Sequence, residues 1–80
     1  MPTLFRERGF RFFFYSNERQ EPCHIHVLGR GGEAKFWIPS CELAFAFRLS
    51  AKDLKDVLSV VRERVKKIEE EWNEFFQSGK

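Results

Sequence analysis

The sequence predicts an α+β domain: a small sheet of three or four mainly antiparallel strands over residues 9–47, then one long C-terminal helix over 50–77. Three observations carry this. Up to Phe47 the chain shows short aromatic or alternating runs separated by turn residues, the pattern of half-buried strands. The connections between these runs are of hairpin length, which favours antiparallel pairing. From Ser50 the apolar residues recur instead at spacings of four and three, the mark of an amphipathic helix.

The chain has 80 residues, which is read as a single domain, 1–80. A domain of this size buries only about 60% of its unfolded surface. The ten phenylalanines partly offset this, since each large aromatic removes about 150–250 Å² from water when buried. The net charge of +2 is too small to announce nucleic acid by itself. Arg6, Glu7 and Arg8 interrupt any apolar run near the start, so no signal peptide is expected. No stretch approaches the roughly 20 apolar residues of a membrane span. A cytoplasmic location follows as the expectation, with Cys23 and Cys41 as free thiols in a reducing compartment.

In order, residues 1–8 read as an extended lead-in closed by Gly9. Residues 9–16 form an aromatic strand, with Phe10, Phe12 and Phe14 on the core face and Arg11, Phe13 and Tyr15 on the other. A polar loop leads to a strand over 24–28. Gly29-Arg30-Gly31-Gly32 is the strongest turn signal and reads as a hairpin loop with a positive-φ glycine. Residues 33–38 alternate again, setting Ala34, Phe36 and Ile38 against Glu33, Lys35 and Trp37. Pro39 and Ser40 end that strand, and 41–47 read as a fourth strand or a short helical turn. Ser50 with Asp53 resembles a capping box. Leu54, Leu58, Val61, Val65, Ile68, Trp72 and Phe75 then form the stripe of a helix ending near Gln77, ahead of Gly79.

That helix is roughly 40 Å long at 1.5 Å per residue, whereas a seven-residue strand covers about 23 Å. One small sheet cannot cover the whole stripe, so the helix must bend, overhang or meet a partner. An uncovered row of Ile68, Trp72, Phe75 and Phe76 would be a sticky patch. The expectation is therefore a homodimer, or a dedicated small protein partner, on the C-terminal half of the helix.

The candidate site is the stretch Glu21-Pro22-Cys23-His24-Ile25-His26-Val27, which holds both histidines. Side chains two apart on a strand share a face, so His24 and His26 stand side by side and Ile25 and Val27 face the other way.

The run Gly9-Phe10-Arg11-Phe12-Phe13-Phe14-Tyr15-Ser16-Asn17-Glu18, then Glu21-Pro22, His24-Ile25-His26-Val27, Ala34-Lys35-Phe36-Trp37 and a capped helix carrying Trp72 resembles a small bacterial family. It is domain-of-unknown-function family 4160. Its members commonly carry a second proline where this chain has Cys23, which argues against Cys23 as a required ligand or nucleophile. The resemblance implies no settled activity, but association with toxin–antitoxin-like gene pairs, and so a protein that acts through a partner.

Three readings of the histidines are open. No cofactor is expected, although a divalent metal is possible: neutral imidazoles suit transition ions, and Glu18, Glu21 or Glu33 could add a ligand. As a metal-free catalytic pair, His24 and His26 could cleave RNA by acid–base chemistry. Arg11, Lys35 or Arg30 would then meet phosphate, and Phe13, Tyr15 and Trp37 would stack on bases. In the third reading the pair caps a polar face, hydrogen-bonding Ser16, Glu18 or loop backbone, and the protein is a binding module. Sheet register decides which of these side chains meet.

Overall fold

The computed structural model describes residues 3–15, 18 and 20–78, with side chains as far as Phe76. Five strands and two helices follow one another: β1 (Thr3–Glu7), β2 (Phe10–Phe13), β3 (His24–Gly29), β4 (Gly32–Trp37), β5 (Glu42–Phe47), α1 (Ala51–Glu63) and α2 (Val65–Ser78). The strands form one sheet in chain order, each pair antiparallel. The α+β class and the antiparallel sheet match the sequence reading; the number of strands and the single helix do not. β2 ends at Phe13, short of the expected end at Ser16, which lies outside the described residues; the helix expected to end near Gln77 runs to Ser78.

The extra strand is β1, which the sequence reads as a lead-in. Two dipeptides of the same composition make the tight hairpins. Arg8 and Gly9 have φ of 54° and 82°, and Arg30 and Gly31 have 53° and 79°. Two successive positive φ values mark a type I′ turn, whose twist matches antiparallel strands. Leu4 and Phe5 sit against the core, and Phe5 stacks on Phe12 with ring centroids 4.6 Å apart. The fourth expected strand is β5, not a helical turn.

Period-two alternation builds the core as expected. Phe10, Phe12, Phe14, Ile25, Val27, Ala34, Phe36 and Ile38 are all buried. Their row across the sheet is Phe12, Val27, Ala34 and Ala46. The neighbouring row is Phe13, His26, Lys35 and Phe45, and His24 lies opposite Trp37. A slip of one residue would put the histidines into the apolar core.

The helix begins as predicted, with the Asp53 N–H donating to Ser50 Oγ at 3.0 Å. It does not run straight through. Arg64 leaves helical geometry at φ −110° and ψ 12°, and its N–H is shared between the carbonyls of Val60 and Val61 at 3.0 and 3.2 Å. Its guanidinium donates to Glu7 Oε1 at 2.6 Å and lies over the Phe5 ring, 5.2 Å from its centroid. A tie to β1 thus accompanies the bend.

The bend corrects the interface expectation. Ile68 and Trp72 are buried in this chain's own core, 0% and 7% exposed. Phe75 and Phe76 are half-buried against it and pack on Phe14 at 5.3 and 5.5 Å. The overhanging straight helix from which a partner was inferred is absent. In α1 the buried residues are Val57, Val60 and Val61. Leu54 and Leu58 flank the core rather than fill it.

Candidate metal centre

Register brings the histidine strand and its predicted helpers to one place. The His24 and His26 rings meet edge to face, 5.0 Å apart. Phe13 stacks on His26 at 5.5 Å, and Tyr15 packs edge-on at 4.9 Å. Trp37 and Trp72 stand 5.7 and 4.8 Å from His24. Trp72, expected at an interface, is instead a wall of the site.

Of the three glutamates proposed as a further ligand, Glu18 is the one delivered between the rings. Two backbone hydrogen bonds hold Glu18 in place: its N–H donates to the Tyr15 carbonyl at 3.3 Å, and the Glu21 N–H donates to the Glu18 carbonyl at 3.1 Å. The Tyr15 N–H donates to Glu18 Oε1 at 2.9 Å, fixing the carboxylate. Glu18 Oε1 lies 2.8 Å from His24 Nε2, and Oε2 lies 2.7 Å from His26 Nε2. Glu21 turns to Lys35, which donates to it at 2.7 Å. Glu33 pairs with Leu28, nearer the opposite end of the strand.

The cluster is enclosed. The side chains of His24, His26 and Glu18 are 0%, 8% and 12% exposed. Burial alone pushes the Glu18 carboxyl up, but the contacts that lower it, led by the Tyr15 N–H and His26, outweigh it and hold it below the usual glutamate value. Burial also dominates at His26, lowering it against the pull of Glu18.

Hydrogen-bond chemistry sets the histidine tautomers: His26 Nε2 donates to Glu18 Oε2 at 2.7 Å, so its hydrogen sits there until an ion displaces it. His24 Nδ1 lies 2.8 Å from the Pro22 carbonyl oxygen. A carbonyl only accepts, so Nδ1 carries a hydrogen. Nε2 then faces the carboxylate, yet it makes no hydrogen bond. The two atoms are near but out of line, so a ring N–H there would miss the oxygen. A lone pair at Nε2, 2.8 Å from a carboxylate oxygen, is repulsive unless a positive charge, a proton or a metal ion, lies between them. Glu18, His24 and His26 each offer a ligand atom, all within 4.8 Å of one another.

A model of the family described as a domain of unknown function, DUF4160, matches residues 9–73. The chain belongs to the DUF4160 family. No curated protein and no solved structure matches it. In this DUF4160 chain Glu18, His24, His26, Trp37 and Trp72 all lie inside the matched span, whereas β1 precedes it.

The other predicted binding residues flank the cluster and are already engaged. Arg11 donates from Nε to Thr3 Oγ1 at 2.9 Å and lies over the Phe13 ring at 4.5 Å. Lys35 lies over Trp37 at 4.5 Å. Arg30 is far from them, donating to Asp53 at 3.1 Å. Cys23 and Cys41 are free. Cys23 is no nucleophile at neutral pH, since burial, with Glu69 assisting, pushes its thiol up to about 12. Sequence reasoning missed the Pro22 carbonyl; a backbone oxygen two residues before a histidine carries no sequence signal.

Proposed function

We propose that this protein is a metal-binding module, and that Glu18, His24 and His26 ligate one divalent transition ion of the zinc class. The observation that carries this is the His24 ring, whose hydrogen is committed at Nδ1 to Pro22 and whose Nε2 faces a carboxylate without a hydrogen bond. A histidine that donates one nitrogen to a carbonyl and offers the other to an ion is the usual arrangement at metal sites, where the outer hydrogen bond fixes the ring. Two imidazoles and a carboxylate suit zinc. Donors about 2.1 Å from a tetrahedral ion stand about 3.4 Å apart, so shifts on the order of 1 Å gather the present ligands.

Burial directs the role. RNA cleavage requires a substrate oxygen to approach the base within about 2.6–3.2 Å, and the His24 ring is enclosed by Trp37, Trp72, His26 and Glu18. An enclosed ion instead ties Glu18 to β3, and its loss releases that tie. The toxin–antitoxin-like setting, the cytoplasmic location, a dedicated protein partner and action on RNA are separate proposals on which this reading does not depend.

Protein purified without an affinity tag tests it by elemental analysis and by calorimetric titration with zinc after chelation. One ion per chain is expected, with affinity reduced about 10–100-fold in Glu18→Gln. Absence of stoichiometric binding would overturn the proposal.

A further inference from the structure

We propose that β5 is a homodimer interface, pairing antiparallel with β5 of a second copy across a two-fold axis to make one continuous sheet. The inference is independent of the metal centre.

β5 is one free edge of the sheet, and all six of its side chains are exposed. Phe47, Leu43 and Phe45 are 59%, 46% and 43% exposed. Sheet edges are ordinarily guarded by charge, proline or cover, because unpaired N–H and C=O groups template further strands. Residues 43–47 carry neither charge nor proline. The opposite edge, β1, carries Arg6 and Glu7, and the Glu7 carboxylate is tied to Arg64. Both edges contain a register irregularity, so charge is what distinguishes them.

The composition of β5 selects a second copy as occupant. Beyond the irregularity opposite Lys35 and Phe36, Phe45 and Phe47 share the face of Lys35 and Glu33, while Ala46 sits opposite Ala34. Antiparallel pairing with Ala46 opposite itself sets Phe45 against Phe47 twice, gathering four rings on one face. Such self-complementarity is what a two-fold interface requires. The pairing is confined to Phe45, Ala46 and Phe47, because the irregularity interrupts the strand before Phe45 and Arg48 leaves it at a φ of 57°. On the other face, Leu43 borders an open groove with Leu54 and Leu58, which the second copy's strand extends and partly covers.

Sedimentation equilibrium over the micromolar range tests this. The mass is expected to rise with concentration from 9.6 kDa towards twice that value, and Phe45→Lys, on an exposed side chain, is expected to stay monomeric with an unchanged circular dichroism spectrum. As a test that does not rely on that variant folding, Ala46→Cys is expected to form a disulfide between two copies on oxidation, because the register sets Ala46 opposite itself at a Cα separation of about 4.5–5.5 Å. A wild-type chain that stays monomeric overturns the proposal, as does a folded Phe45→Lys variant that still dimerises. An Ala46→Cys chain that forms no disulfide between copies overturns the antiparallel register.

Discussion

Replacing Ile68 with alanine separates a helix that docks on its own sheet from one that overhangs it. Ile68 is fully buried, on the far side of the Arg64 bend, and its N–H donates to the Arg64 carbonyl at 2.9 Å. Truncating a buried isoleucine to alanine costs about 2–5 kcal/mol through lost transfer energy and the cavity left behind. A domain of this length has about 4–12 kcal/mol in total, so the change removes a large share. With an unfolding entropy of about 2 cal/mol/K per residue, each kcal/mol corresponds to about 6 °C, and the melting temperature should fall by about 12–30 °C. Urea denaturation followed by circular dichroism gives the free energy directly. A loss below about 1 kcal/mol would refute the docked geometry, because a solvent-facing or partner-facing isoleucine leaves the monomer nearly unaffected.

Three further outcomes follow. Gly32→Ala should be far more damaging than Gly31→Ala by thermal melting. A Cβ at Gly32 would collide with the Arg48 and Phe47 carbonyl oxygens, whereas Gly31 has open space and only its positive φ to lose, a cost of about 1–2 kcal/mol. Cys23 should resist iodoacetamide at pH 8 in the folded protein and react on unfolding, since its thiol is pushed up to about 12 and the thiolate is the reactive form; rapid labelling of folded protein would contradict its burial. In chelator, stability should fall on acidification. His26 is lowered from 6.5 and Glu18 from 4.5, so both contribute fully above their unfolded values and lose that contribution as pH drops below about 6.5 and then below about 4.5. Glu18→Gln should flatten the lower part of that profile in urea titrations; an unchanged profile would remove Glu18 from the network.

Much of this was legible because it depends on local periodicity. Phe10, Phe12 and Phe14 announce their face by alternation alone, and the nearness of His24 to His26 follows from the pleat. The Arg30-Gly31 turn declares itself through its glycines. What escaped depends on contacts distant in sequence. Arg64 is an ordinary helix former, and nothing near it predicts a break; the break is seen only where its guanidinium meets Glu7 and Phe5. β1 was missed because Arg6, Glu7 and Arg8 mask Leu4 and Phe5, although the Arg8-Gly9 pair repeats the dipeptide of the other turn. Glu18 could be named only as one of three glutamates, since a loop has no period and its carboxylate is placed by the Tyr15 N–H. The partner expectation on α2 came from comparing a straight helix with a strand; once the helix bends, the same apolar residues become core.

The most direct test of the metal centre is nitrogen NMR of the two imidazoles during zinc titration of the chelated protein. The account predicts that the Nε2 resonances of His24 and His26 move to metal-bound positions and saturate at one equivalent. The His24 Nδ1 keeps its hydrogen throughout, and Glu18→Gln weakens the response. Ring resonances that stay unchanged at excess zinc, or a Nε2 of His24 that already carries a hydrogen bonded to Glu18, would contradict it.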